Sequence, residues 1–164
     1  MDDWTGGGIA LLTIQSLISK QISIPSGLIV FSPWTDLSES SQNYIQNRYK
    51  DILLCSEKVQ WFVKYLIDDN QSISNLDNSI FSSLFGSFKG FPPIYITFGT
   101  AEILQDDSCR LVYQVNLVNN KITFEQGEHL IHVYPIFFLY YQQTRNKLEN
   151  IKSWIQTILN NSTI

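Results

Sequence analysis

Gly27-Leu28-Ile29-Val30-Phe31-Ser32-Pro33-Trp34-Thr35-Asp36-Leu37 is the stretch on which the fold turns. Leu28 to Phe31 is a short run in which every residue is apolar. A strand that faces water on one side alternates apolar and polar residues, so a run apolar on both faces suits a central parallel strand. Ser32-Pro33 then breaks the pattern, and a long polar stretch runs on to about Asp51.

The same unit recurs downstream. Phe91-Pro92-Pro93 introduces Ile94-Tyr95-Ile96-Thr97-Phe98, a second strand ending at Gly99, and Ile122-Thr123-Phe124 is a third. Helical spacing fills the intervals. Gly6 to Lys20 reads as a largely buried helix. Val59, Phe62, Val63, Leu66 and Ile67 mark another, with Ser56 placed to cap it and Glu57 in its first turn. Asp68 to Asn78 is a polar loop. Leu111, Val115 and Val118 give a helix over Gln105 to Asn119. Phe137, Tyr141, Leu148, Ile151, Ile155 and Ile158 give an amphipathic C-terminal helix broken near Thr144. Strands alternating with helices predict an α/β protein with a parallel sheet joined by right-handed crossovers.

Bulk properties narrow the function. The 164 residues are 44% hydrophobic and 16% charged, enough for one domain with a packed core. Net charge is −4 and the sequence pI is about 5.0, which offers no electrostatic footprint for nucleic acid. Cys55 and Cys109 have neither CxxC nor Cys/His metal spacing, and read as two reduced buried thiols. No metal or cofactor is implied, and nothing in the sequence sets an oligomeric state. No stretch is long and apolar enough to span a bilayer, and Met1-Asp2-Asp3-Trp4 is acidic where a secretory signal would be basic; the expected location is cytoplasmic or unknown.

In open parallel sheets, functional groups collect beyond the carboxyl ends of the strands. That rule selects the loops after Phe31, Phe98 and Phe124. The second holds Glu102, Asp106 and Asp107; the third holds Glu125, Glu128, His129 and His132. An acid after one strand and a histidine after the next is the order in which a carboxylate orients an imidazole, and the imidazole takes the proton of an upstream nucleophile.

The wording around these residues carries a resemblance. Gly6-Gly7-Gly8-Ile9-Ala10 resembles the helix start after the Gly-Asp-Ser-Ala-Gly-Gly nucleophile elbow of the hormone-sensitive-lipase-like esterases, an α/β-hydrolase family. Gly27 to Leu37 resembles its strand and Ser-Pro-Trp-x-Asp-Leu loop. Asn47 with Asp51-Ile52-Leu53-Leu54 resembles its Asn-x-x-x-Asp-x-Leu segment. Gly90 to Ile96 and Gly99 to Leu104 resemble its Pro-Pro strand and acid loop, and Ile131-His132-Val133-Tyr134 its histidine turn.

The resemblance implies a single partial domain over residues 1–164. It would be a truncated α/β-hydrolase fold with a parallel sheet of about three strands, flanking helices and a cap-like helical insertion. It implies a small-molecule carboxylic ester as substrate, His132 as general base and Glu102 as the acid that orients it. Asp106 is the reserve acid, and Asp106 and Asp107 also suit the start of a helix. His129 is the alternative base. Trp4 falls on the nucleophilic serine, where no side-chain group can attack a carbonyl, and the Thr5 backbone N–H falls on one oxyanion donor. Slipping one residue puts Thr5 itself in the nucleophile place, at the expense of the downstream register. The family's His-Gly-Gly-Gly oxyanion loop has no counterpart here, and the elbow strand would lie upstream. The expectations are therefore an exposed edge along Leu28–Phe31, and an inactive piece of a serine esterase or, alternatively, a non-catalytic degenerate hydrolase that binds a partner or an apolar ligand.

Overall fold

The computed structural model describes residues 2–66, 76–118 and 121–161. Ile67, the loop residues 68–75 and Asn119 fall outside them. Three full strands, β2 (Leu28–Phe31), β3 (Ile94–Gly99) and β4 (Ile122–Gly127), pair in parallel in sequence order. A two-residue strand, β1 (Asp2–Asp3), adds to the outer side of β2, with Asp2 opposite Val30 and Asp3 opposite Phe31. The expected open edge at Leu28–Phe31 is thus closed along its second half: the two residues entering the first helix are extended and take the ladder positions.

Alternation along the strands sorts the core into two layers. Leu28, Val30, Ile94, Ile96 and Phe98 point to one face, where Leu11 and Ile14 of α1 (Trp4–Ser19) and Leu111 and Val115 of α4 (Gln105–Val118) cover them. Ile29, Phe31 and Tyr95 point to the other face, under Ile151 and Trp154 of α5 (Gln142–Asn161). Both faces are covered, so β2 and β3 are buried along their whole length. β4 lies at the opposite edge and is more exposed.

The helices differ from expectation in detail. α1 buries one stripe, Gly7, Gly8, Leu11 and Ile14, while Ile9 is exposed. Its general greasiness reflects composition rather than burial all round. Between β2 and β3 lies a helical insertion with α2 (Asn43–Gln46) and α3 (Ser56–Leu66). Cys55 rather than Ser56 stands before α3: its carbonyl accepts the Lys58 and Val59 N–H groups, and the Ser56 hydroxyl donates to the Tyr44 carbonyl. The C-terminal break falls before Thr144, between a 3-10 turn at Tyr134–Phe137 and the start of α5. Both cysteines are unpaired, but neither is buried: Cys55 is half-buried and Cys109 is exposed on α4. Among the described residues no helix is long and apolar enough to cross a membrane.

Candidate active site

The site is assembled where β1, β2, β3 and β4 end. Asp3 leaves β1 extended, and Trp4 opens α1 with φ of 39°. A strand that turns into a helix through one strained residue is the geometry of a nucleophile elbow. The helix can begin there only because its first turn lies against the loop after β2. The Trp34 N–H donates to the Trp4 carbonyl at 3.0 Å, and a Cβ placed on Gly8 would stand 2.3 Å from the Trp34 carbonyl oxygen. Thr5 sits in the first turn, where backbone N–H groups lack an intrahelical acceptor.

The loop after β3 supplies Glu102, which is fully buried; the loop after β4 supplies His132, 5% exposed. His132 Nδ1 lies 3.2 Å from Glu102 Oε2. With Nδ1 held by the carboxylate, Nε2 is the nitrogen left to exchange a proton. Burial pushes the Glu102 carboxyl upward, against the hydrogen bonds from His132 and Ser32 that favour its charged form. The two loops are clasped by backbone: Ala101 N–H donates to the Leu130 carbonyl, Thr100 N–H to Gly127, and a Cβ on Gly99 would stand 2.0 Å from the Leu130 oxygen.

Trp4 closes the third corner. Its ring meets the His132 ring edge-on at a centroid distance of 6.3 Å and packs on Phe62 at 4.8 Å and Trp34 at 6.1 Å. The His132 ring therefore contacts both the Trp4 ring and the Glu102 carboxylate. His129 is not part of this group. Its side chain is 90% exposed and its ring is 3.8 Å from the exposed Glu128. Asp106 is half-buried in the first turn of α4, and Glu102, not Asp106, makes the contact with His132.

Several supporting residues could be seen in the sequence only as wording. Asn47 Nδ2 donates to the Glu102 carbonyl at 2.8 Å and the Thr100 carbonyl at 3.3 Å, and the Ile103 N–H donates to Asp51 Oδ2 at 2.9 Å. The Asn-x-x-x-Asp segment thus holds the acid loop from the insertion side. Asp107, expected as a helix-dipole charge, does more: its Oδ2 accepts the Thr35 and Asp36 N–H groups, each at 3.0 Å. Burial pushes its carboxyl up to about 7 despite those bonds. Asp36 in turn accepts Arg110 at 2.8 Å. Ser32, which the sequence shows only as a break before Pro33, is fully buried and hydrogen-bonds to both the Glu102 loop and the His132 turn.

Four non-glycine residues at these strand ends have left-handed φ: Trp4, Ser32, His129 and Val133. Each costs roughly 1–3 kcal/mol, and such outliers cluster where structure serves function. Among the described residues no group of His, Cys, Asp and Glu side chains is arranged to hold a metal ion.

A family model described as alpha/beta hydrolase fold matches residues 3–136. The chain belongs to the α/β-hydrolase family. Among curated α/β-hydrolase relatives, an esterase of Acinetobacter venetianus is 29% identical over 157 residues, covering 95% of this chain and 50% of its own length. An acetyl-hydrolase of Streptomyces hygroscopicus is 24% identical, covering 94% and 50%. The chain thus spans about half the length of these relatives. Among solved α/β-hydrolase structures, a hormone-sensitive lipase from a metagenome library superposes with a TM-score of 0.85 at 20% identity, covering 94% of this chain and 52% of that one. An esterase/lipase from an uncultured bacterium gives 0.82 at 23% identity, covering 93% and 50%. At these identities the superpositions speak for the fold.

Proposed function

We propose that this chain carries the acid–base half of a serine carboxylesterase site, with position 4 as the nucleophile position. His132 is the general base and Glu102 orients it. In a form with serine at position 4, the hydroxyl would attack the ester carbonyl while its proton passes to His132 Nε2. The proton would then go to the departing alcohol, and water would release the acid from the acyl-enzyme by the same route. The Thr5 backbone N–H would donate to the oxyanion. Trp4 has no group that can form the acyl bond, so the chain with Trp4 does not turn over esters.

The observation that carries this reading is that His132 meets both the strained elbow residue, at 6.3 Å between ring centroids, and Glu102, at 3.2 Å from Nδ1 to Oε2. Burying a carboxylate to zero exposure costs several kcal/mol, and a fully buried acid in contact with an imidazole is a mark of a functional site. The expected result with short-acyl p-nitrophenyl esters is no turnover above buffer. Turnover that a serine-directed phosphonate abolishes would overturn it.

A second reading rests on a different feature. A cavity of about 150 Å³ beside the elbow is lined by Thr5, Gly8, Trp34, Leu37, Ile80 and Phe81 among others. It would let the chain hold a small apolar ligand without reacting with it. Saturable quenching of tryptophan fluorescence by an ester that is never hydrolysed is the result this reading requires.

A further inference from the structure

Ser32 stands where three segments converge: the end of β2, the loop of Glu102 and the turn of His132. Its hydroxyl makes two bonds in opposite senses. It donates to Glu102 Oε2 at 2.7 Å and accepts the Val133 N–H at 3.0 Å. The same Oε2 receives His132 Nδ1 at 3.2 Å, while Glu102 Oε1 is buried without a hydrogen-bond partner among the described residues. All hydrogen bonding to this carboxylate therefore arrives at one oxygen, and the Ser32 bond is the shorter of the two.

The backbone on both sides is bent to permit it. Ser32 has φ of 45° and Val133 φ of 51°, and a β-branched residue is rare in that region. A hydroxyl donating to a buried carboxylate favours the ionised form and fixes which oxygen faces the imidazole. A bond to the residue after His132 sets the height of the ring above that oxygen.

We propose that Ser32 is a positioning residue for the His132–Glu102 pair. Its hydroxyl holds Glu102 Oε2 against the imidazole, so that His132 is kept as the Nδ1–H tautomer with Nε2 free. The hydrogen bonds of the Ser32 hydroxyl go to Glu102 and to the Val133 N–H, so it acts through the pair. The catalytic meaning of this arrangement rests on the reading of His132 as general base; the tautomer itself does not.

The test is long-range proton–nitrogen NMR of the imidazole rings in the unaltered chain, S32A and S32G. The chain has two histidines. His129, with its 90% exposed side chain, is the internal reference for a free ring. Both variants lose the hydroxyl, but only glycine relieves the positive φ, so a role confined to backbone strain would separate them. The expected result is a single Nδ1–H tautomer for His132 in the unaltered chain, and nitrogen shifts that move toward those of His129 in both variants. His132 shifts that superpose on the unaltered spectrum in either folded variant would overturn the proposal. So would an Nε2–H tautomer in the unaltered chain.

If neither variant folds, the unaltered chain decides. The Ser32 hydroxyl proton must then exchange slowly enough to be observed, with a cross-peak to the Val133 N–H, and its absence refutes the bond. Failure of a serine at position 4 to react would count against the esterase reading and leave this result standing.

Discussion

Replacing Gly8 by alanine tests how tightly the elbow is set against the loop after β2. The added Cβ would lie 2.3 Å from the Trp34 carbonyl oxygen, whereas real Cβ atoms essentially never approach within 3.0 Å. The gap must widen by about 0.7 Å, and the obstacle is backbone rather than a side chain that can rotate away. The neighbouring bond from Trp34 N–H to the Trp4 carbonyl resists that movement. Overpacking of this kind costs about 1–3 kcal/mol, with the upper end expected here, and alanine returns up to about 1 kcal/mol of helix propensity. A net loss of about 2 kcal/mol lowers Tm by roughly 4–8 °C in a chain of this length. Gly7 supplies the comparison. Its added Cβ would meet the Pro33 Cβ at 3.0 Å, tight but relieved by a few tenths of an ångström. Gly7→Ala is therefore expected to change stability by less than about 1 kcal/mol. Thermal and urea unfolding of the two variants measure the difference. Gly8→Ala as stable as the unaltered chain, or Gly7→Ala the worse of the two, would refute the reasoning.

Asp107 has its carboxyl raised from 3.8 to about 7, so the folded chain binds this proton more tightly than the unfolded one. Its contribution is fully present below pH 4 and is lost as pH rises toward and through 7, by up to about 4 kcal/mol. Urea midpoints between pH 4 and 8 should accordingly fall less steeply in Asp107→Asn than in the unaltered chain, and equal slopes would contradict this assignment. Asn47→Ala removes the amide that holds the carbonyls of Thr100 and Glu102. It should cost about 2 kcal/mol, as unpaired buried carbonyls do, and speed hydrogen exchange at Ile103 and Leu104. An unchanged unfolding midpoint would remove Asn47 from the clasp on the acid loop.

The strands and the order of the site were legible because they rest on local signals. Leu28–Phe31 is apolar without alternation, Ile94–Phe98 is a β-branched and aromatic run behind Pro92-Pro93, and both lie in the sheet interior. Glu102 and His132 follow the second and third full strands, which parallel pairing brings side by side. What stayed hidden was non-local. Tyr44 lies in a polar stretch and is buried only because α3 and the Trp34 loop close over it, so α2 gave no periodic signal. Asp107 sits among helix-start charges, and nothing adjacent in sequence indicates that Thr35 and Asp36 will present their N–H groups to it. Ser32 reads as a chain break before Pro33, and its partners are 70 and 101 residues away. The closing of the β2 edge by Asp2–Asp3 leaves no mark in the sequence, because two acidic residues carry no strand pattern.

The central claim, that position 4 is the nucleophile position served by His132, is tested most directly by covalent labelling. The unaltered chain, Trp4→Ser and Trp4→Ser/His132→Ala would be incubated with a fluorophosphonate and digested for mass spectrometry. In the reaction the serine oxygen bonds to phosphorus, fluoride departs, and His132 takes the hydroxyl proton. The account predicts a phosphonyl adduct at residue 4 in Trp4→Ser, formed faster by about 10²-fold or more than in the double variant, as expected for loss of a general base, and no adduct in the unaltered chain. Labelling of Trp4→Ser at the same rate with and without His132, or an adduct on the unaltered chain, would contradict it.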